Sequence, residues 1–266
     1  MLDKMFPSVP GTPLWRYGVM MVVGLGSLLS LLSLDPISQD TGYHSFADTR
    51  TFLGIPNFLD VLSNLPFLIV GAAGYRLGHR LAPGAVRRAW SVFFVGVALV
   101  SCGSAHYHWN PTNESLAWDR LPMTVAFMGL FAALLGEYMG SRVTSILLFP
   151  SVLFGLATVF YWTWVDDLRL YYWVQMVPLL TVPTVMLLFR SKYSHDWLLL
   201  VALGWYALAK VAEVSDRAIF RATDEVLSGH TLKHLLAAVG CYTVLRMLQI
   251  RRTIQKSPDG MIHDPQ

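Results

Sequence analysis

Residues 103 to 123 read Gly-Ser-Ala-His-Tyr-His-Trp-Asn-Pro-Thr-Asn-Glu-Ser-Leu-Ala-Trp-Asp-Arg-Leu-Pro-Met. The stretch closes one apolar segment, crosses a short polar loop and opens the next. Ser104 and His108 are four residues apart, so on a helix they share a face about one turn from each other. Asp119 is expected at the start of the following helix, where the dipole favours a carboxylate. Far downstream, Ser228-Gly-His-Thr-Leu-Lys-His234 sets His230 and His234 at the same four-residue spacing, again at the mouth of an apolar run. Three histidines, a serine and an aspartate at helix ends that can meet form a candidate catalytic zinc site.

The surrounding composition says where such a site would lie. Of 266 residues, 54% are hydrophobic and only 14% charged, and the mean hydropathy is +0.47. That balance belongs to a polytopic membrane protein, so domain counts drawn from soluble chains do not apply. A net charge of +3 is too small to imply a nucleic-acid partner. The two cysteines, Cys102 and Cys241, both fall in apolar runs, so no disulfide framework is expected.

Around the central stretch, eight apolar runs divide the chain, at about 14–34, 57–79, 86–108, 118–140, 143–163, 169–190, 197–215 and 229–250. Each is near the length that crosses a ~30 Å hydrocarbon core as a helix. Helices are the expected form because lipid leaves no other partner for backbone polar groups. Pro66, Gly71, Pro150, Pro178 and Pro183 would end soluble helices but are tolerated in membrane ones. The fold class is therefore all-α, a polytopic bundle with a seven-helix core and one extra N-terminal transmembrane helix. The first run lacks a small-residue cleavage site and is long enough to span, so it reads as a retained helix rather than a signal peptide. Three segments follow: 1–56, the first helix and its loop; 57–250, the core; and 251–266, a polar, frayed tail.

Basic residues cluster at Arg76 to Arg88, at Arg190 and Lys192, and from Arg246 to Lys256, whereas loops of opposite parity are acidic or mixed. With eight spans, both termini are expected in the cytoplasm. His108, Asp119 and His230 then share the non-cytoplasmic end.

At these residues the sequence resembles the alkaline ceramidases. Their wider superfamily of seven-helix zinc membrane hydrolases includes the adiponectin-type receptors and Per1 proteins. The shared features are Ser104-x-x-x-His108, Asp119 within Trp-Asp-Arg-Leu-Pro-Met, and His230-x-x-x-His234. The stretch Asn57-Phe-Leu-Asp-Val-Leu-Ser63-Asn64 looks like the ceramidase branch's first core helix, and Glu213 and Asp216 have family-like placement. The likeness covers roughly 57 to 250. It implies an amidase of ceramide-like lipids in which His108, His230 and His234 bind zinc while Ser104 and Asp119 flank the metal-bound water. It also implies a calcium (Ca2+) site near the first core helix. The chain departs there, with Asn57 where a Glu is expected and Asp48 the acidic residue just upstream, so no calcium ligands are assigned.

The chemistry is coherent on the residues alone. Three neutral imidazoles leave a fourth zinc position for water, whose pKa falls towards ~7 on the metal. Asp119 can carry the proton from water to the leaving amine, and Ser104 can support the oxyanion or fix the water. The bilayer keeps the tails of a membrane lipid substrate among the helices. Plainer roles stand beside these. A His pair in a membrane helix can simply bridge helices, although intramembrane ionisable groups are usually functional. His106 and Cys102 lie off the Ser104–His108 face and are excluded. Lys210 and Glu213 read as a structural pair, with Glu213 or Asp216 as a possible orienter of a ligand imidazole. The aromatics at 161 to 173 read as an interfacial belt. A receptor whose zinc is structural, or a lipase acting on esters, is the alternative to the amidase.

Overall fold

A computed structural model describes residues 13–254 as an all-α membrane bundle. The polar start with Lys4, Pro7 and Pro10, and the tail residues Lys256, Pro258, Gly260 and Pro265, lie outside the described residues. The helices are α1 (Leu14–Leu32), α2 (Phe58–Leu62), α3 (Leu65–Gly78), α4 (Ala85–Trp109) and α5 (Asn113–Met139). They continue as α6 (Ser141–Val165), α7 (Arg169–Leu188), α8 (Leu198–Val214), α9 (Asp216–Ala222) and α10 (Gly229–Ile250). Among the described residues, strand pairing is confined to isolated bridges.

Each expected apolar run is helical, with three differences. The run at 57–79 breaks at Ser63 and Asn64 into α2 and α3. The run at 197–215 continues past an 82° bend into α9. Third, the helix expected from 118 begins at Asn113. Thr112 caps it, accepting from the Ser115 backbone N–H at 3.2 Å, and the Ser115 hydroxyl returns a bond to the Thr112 backbone. Asp119 is therefore nearly two turns inside α5, beyond the reach of the terminal dipole invoked for it.

Among the described residues, six helices or helix pairs are long and apolar enough to cross a membrane, and a seventh is added if α8 and α9 count as one bent span. Eight spans were expected, and α10 is the one that falls short. It is 22 residues long, but Lys233, His234, Arg246 and Gln249 dilute its apolarity. Because α10 packs against α8 and α3 within the bundle, many of its polar groups face protein rather than lipid. Prolines 122, 150, 178 and 183 all sit inside continuous helices, as membrane helices allow.

The bundle has two distinct ends. At the far end, Arg251 bonds Glu137 at 2.5 Å, and the Trp90 indole donates to the same carboxylate at 2.7 Å. The Ser194 N–H bonds Arg252 O there, and Tyr17 of α1 packs edge-on to Phe189 at 5.3 Å. At the site end, residues 35–57 form a strap across the helix mouths. Asp166 and Asp167 accept from the Gln39 and Ile37 N–H groups. The Arg169 guanidinium, which also reaches Leu34 O at 2.5 Å, holds Asp167 down to about pKa 2. On α7, Trp173 donates to Gly24 O and Ser27 Oγ of α1.

Single cysteines at Glu114 and Lys192, both exposed and at opposite ends of the bundle, test this arrangement. In a background lacking Cys102 and Cys241, a membrane-impermeant thiol reagent should label them from opposite faces of the membrane. Labelling from one face would overturn the span order.

Candidate metal centre

His108 lies one residue before the end of α4, and His230 and His234 occupy the first two turns of α10. All three are buried, and one ring nitrogen from each falls within 4.8 Å of the others. His108 Nε2 and His234 Nε2 are 3.3 Å apart. The three rings stand 4.7 to 4.9 Å apart between centroids. Among the described residues this is the only group of three or more His, Cys, Asp or Glu side chains able to share an ion.

Local sequence builds this convergence. Ser228 caps α10 by accepting from the Thr231 N–H at 2.9 Å. Gly229 lets α10 approach the α8–α9 corner, because a Cβ there would strike Ala212 O and the Asp216 backbone. Asp216 then accepts from the His230 N–H at 2.8 Å and from the Ala47 N–H at 2.9 Å. On the other side, Pro122 has no N–H to offer Trp118 O, so that carbonyl is left out of the α5 ladder. It points at Gly103 of α4, where a Cβ would collide with it. The close crossing brings Ser104 against the Asp119 carboxylate, with both residues buried.

The imidazoles are held from behind. Ser63, at the break between α2 and α3, bonds His234 Nδ1 at 2.8 Å and donates to Asp60 O at 3.0 Å. Asn57, left-handed at φ 45°, donates to His108 O at 2.8 Å. Buried Asp60 accepts from Thr231 at 2.5 Å and Ser228 at 3.2 Å, tying α2 to α10. Above the cluster, Phe46 of the strap packs on His108 and His230 at 4.8 and 4.7 Å. Beside it, His44 bonds the Tyr107 hydroxyl at 2.9 Å.

Ser104, His108, Asp119, His230 and His234 are brought to one end, while His106 and Cys102 face outward. Lys210 and Glu213 are paired, and Lys233, which the sequence did not single out, joins them. Lys233 Nζ lies 3.0 Å from Glu213 Oε1 and 3.0 Å from His230 Nε2. Glu213 thus reaches an imidazole only through Lys233, and Asp216 fixes backbone rather than a ring. The aromatic belt is half correct. Trp164 and Tyr172 are exposed, but Trp162 and Tyr171 are buried against Arg120. Ser63 and Asp60 were legible as polar residues in an apolar run, which is the usual mark of function in a membrane helix.

The calcium expectation does not fit these residues. Both Asp48 oxygens are held by Arg50, at 2.8 and 2.7 Å, and Arg50 also donates to Val226 O. Burial works against the Asp48 charge, yet the Arg50 guanidinium keeps that carboxyl below its usual range. Asn57, in the position expected of a Glu, has its amide engaged by His108 O.

A cavity of about 310 Å³ opens onto His234, Ser104 and Asp119. Its walls at Phe67, Val100, Met123, Tyr206 and Ala237 are shared with a second, almost wholly apolar cavity of about 150 Å³ that runs on between the helices. A chamber with polar groups at a metal-capable cluster thus shares a wall with an apolar slot.

Compared with known proteins, residues 53–263 match the family model described as Ceramidase. No curated protein sequence matches the chain.

Ser63→Ala would remove the hydrogen bond that fixes the His234 ring. Loss of such an outer partner typically weakens metal binding ~10- to 100-fold, and competition against a chromophoric chelator should show that loss. Unchanged affinity would mean that Ser63 does not support the ligand.

Proposed function

The chain belongs to the ceramidase family, and from that membership and its histidine cluster we propose a zinc-dependent membrane amidase. It would release a fatty acid and an amine from ceramide-like N-acyl lipids. The observation that carries this is the wall shared between the chamber at Ser104, Asp119 and His234 and the apolar slot beside it. An amphiphile with its amide at the cluster and its acyl chain between Phe67, Met123 and Tyr206 matches that shape.

The donor set suits zinc. Three imidazoles are a common catalytic zinc set, and Zn–N bonds of ~2.05 Å at tetrahedral angles separate two ligand nitrogens by ~3.3 Å. The His108 and His234 Nε2 atoms are 3.3 Å apart. His234 Nδ1 is engaged by Ser63 at 2.8 Å, the outer-nitrogen bond that usually orients a ligand imidazole.

Bound by His108, His230 and His234, zinc would supply a Lewis acid for the scissile carbonyl and a water of lowered pKa. Asp119 accepts the water proton as the oxygen adds to the amide carbon. It returns that proton to nitrogen as the C–N bond breaks. Ser104 orients the carboxylate and, once Asp119 is protonated, offers its hydroxyl to the developing oxyanion. Phe46 and the strap exclude bulk water from above. The basic residues of the far end, Arg190, Lys192, Arg251 and Arg252 among them, orient that end and both termini to the cytoplasm, with the site at the opposite face. In this account 57–250 is the catalytic core, α1 is an added helix, and 251–266 is a cytoplasmic tail.

Two measurements test the proposal. The purified protein should hold about one zinc per chain, and His230→Ala should release most of it; stoichiometric zinc in that variant would remove His230 from the site. In nanodiscs, release of fatty acid from an N-acyl lipid should fall ~100- to 10,000-fold in Asp119→Asn, with zinc content retained. The Ser104→Ala loss should be smaller, on the order of 10- to 1,000-fold. A zinc-loaded wild type that cleaves neither the amide nor an ester analogue would leave the receptor alternative, and one that cleaves only the ester would make it a lipase.

A further inference from the structure

Lys233 stands one turn along α10 from His230 and lines the chamber together with Ser104, Asp119 and His234. Its side chain keeps 17% of its surface exposed. Nζ lies 3.0 Å from Glu213 Oε1 and 3.0 Å from His230 Nε2, at the edge of the histidine cluster. An ammonium carries three N–H donors, and these contacts engage two. Glu213 does not need this second cation, because Lys210 already pairs with its Oε2 and the Tyr43 hydroxyl donates to Oε1 at 3.0 Å. A positive charge beside a nitrogen suited to a metal also opposes the metal. Pairing with Glu213 therefore does not by itself account for Lys233. The dependence runs the other way: a carboxylate held by Lys210 on its own helix and by Tyr43 of the strap fixes where Nζ sits. A cation preorganised in this manner stabilises negative charge that develops during a reaction.

We propose that Lys233 is a further catalytic residue, whose ammonium donates to the amide carbonyl oxygen as that oxygen becomes an anion. This rests on the hydrolase reading. Ser104 and Asp119 come from α4 and α5, whereas Lys233 comes from α10, so the chamber offers polar groups from two walls. As the water oxygen adds to the amide carbon, the C=O π pair moves onto the carbonyl oxygen. Lys233 meets it with an N–H and keeps its proton. The Asp119 carboxylate shares the chamber and, while ionised, competes for the same ammonium. It takes the water proton in that step, so the competing charge disappears as the oxyanion forms. When the C–N bond breaks, the pair re-forms the carbonyl, Asp119 gives its proton to nitrogen, and Lys233 returns to its starting state.

The test uses zinc-loaded protein in nanodiscs with an N-acylsphinganine as substrate. Lys233→Met should lower kcat on the order of 100- to 1,000-fold, the cost of one oxyanion donor. KM should change little, as expected of an interaction made only in the transition state. Zinc should be retained, since the substitution removes a repulsive neighbour. Inhibition by the lipid's phosphinate analogue, anionic and tetrahedral in place of the amide carbon, should weaken by a similar factor. Lys233→Gln keeps a neutral N–H donor, guards against a misfolded Met variant, and should lose less than Met in both readouts. A wild-type kcat in either variant, or an effect confined to KM, overturns the proposal and leaves the hydrolase reading intact. A deficit that matches zinc lost from both variants would make Lys233 a support for the metal site and overturn it as well. So would a fall in kcat with phosphinate inhibition at wild-type strength, because Lys233 would then not meet the oxyanion. A zinc-loaded wild type that cleaves neither an amide nor an ester removes the hydrolase reading and this role with it.

Discussion

Everything at the site end depends on three imidazoles from two helices meeting in an interior with no bulk water. Polar rings buried there are costly unless their nitrogens find partners, so the cluster exists only if the bundle is arranged around it. That arrangement is visible at every side. Gly229 and Gly103 allow helix approaches that any side chain would block. Ser228 and Thr112 fix where α10 and α5 begin. Asp60 and Ser63 use the break between α2 and α3 to bind α10 from behind. A continuous helix over 57–79 would not turn those groups inward in the same way.

The strap at 35–57 completes the enclosure. It is bonded to the turn between α6 and α7 at Asp166 and Asp167, to the α9 corner at Asp216, and to α4 through His44 and Tyr107. Phe46 hangs from it onto two of the three histidines. The strap residues thus cover the histidine cluster rather than merely tethering α1. The chamber below shares a wall with an apolar slot, an arrangement that suits an amphiphilic substrate. The Asp48–Arg50 pair adds one more tie, since the Arg50 guanidinium links the strap to Val226.

The parts of this architecture carried by periodicity were legible in the sequence. Apolar runs became helices because lipid admits little else. The four-residue spacings of Ser104 with His108 and His230 with His234 put each pair on one face, as helical geometry demands. Positions set by a few local bonds were not legible. Asp119 was placed one turn too close to its helix start because Thr112 and Ser115 close a capping box ahead of it. The polar load of α10 was read as a span like the others, whereas its neighbours α8 and α3 shield much of it. Lys233 and Arg120 were unremarkable in sequence. Their meaning comes from what faces them, Glu213 and His230 in one case and Trp162 with Tyr171 in the other, and those contacts cross the chain.

The role proposed for His108, His230 and His234 is to bind zinc together through nitrogen. X-ray absorption at the zinc edge of the purified protein addresses it most directly. The account predicts a shell of nitrogen or oxygen scatterers at ~2.0–2.1 Å with the outer-shell signature of about three imidazoles, lost from the spectrum of a His108→Ala variant. A sulfur shell near ~2.3 Å, or a zinc environment unaltered in that variant, would contradict it.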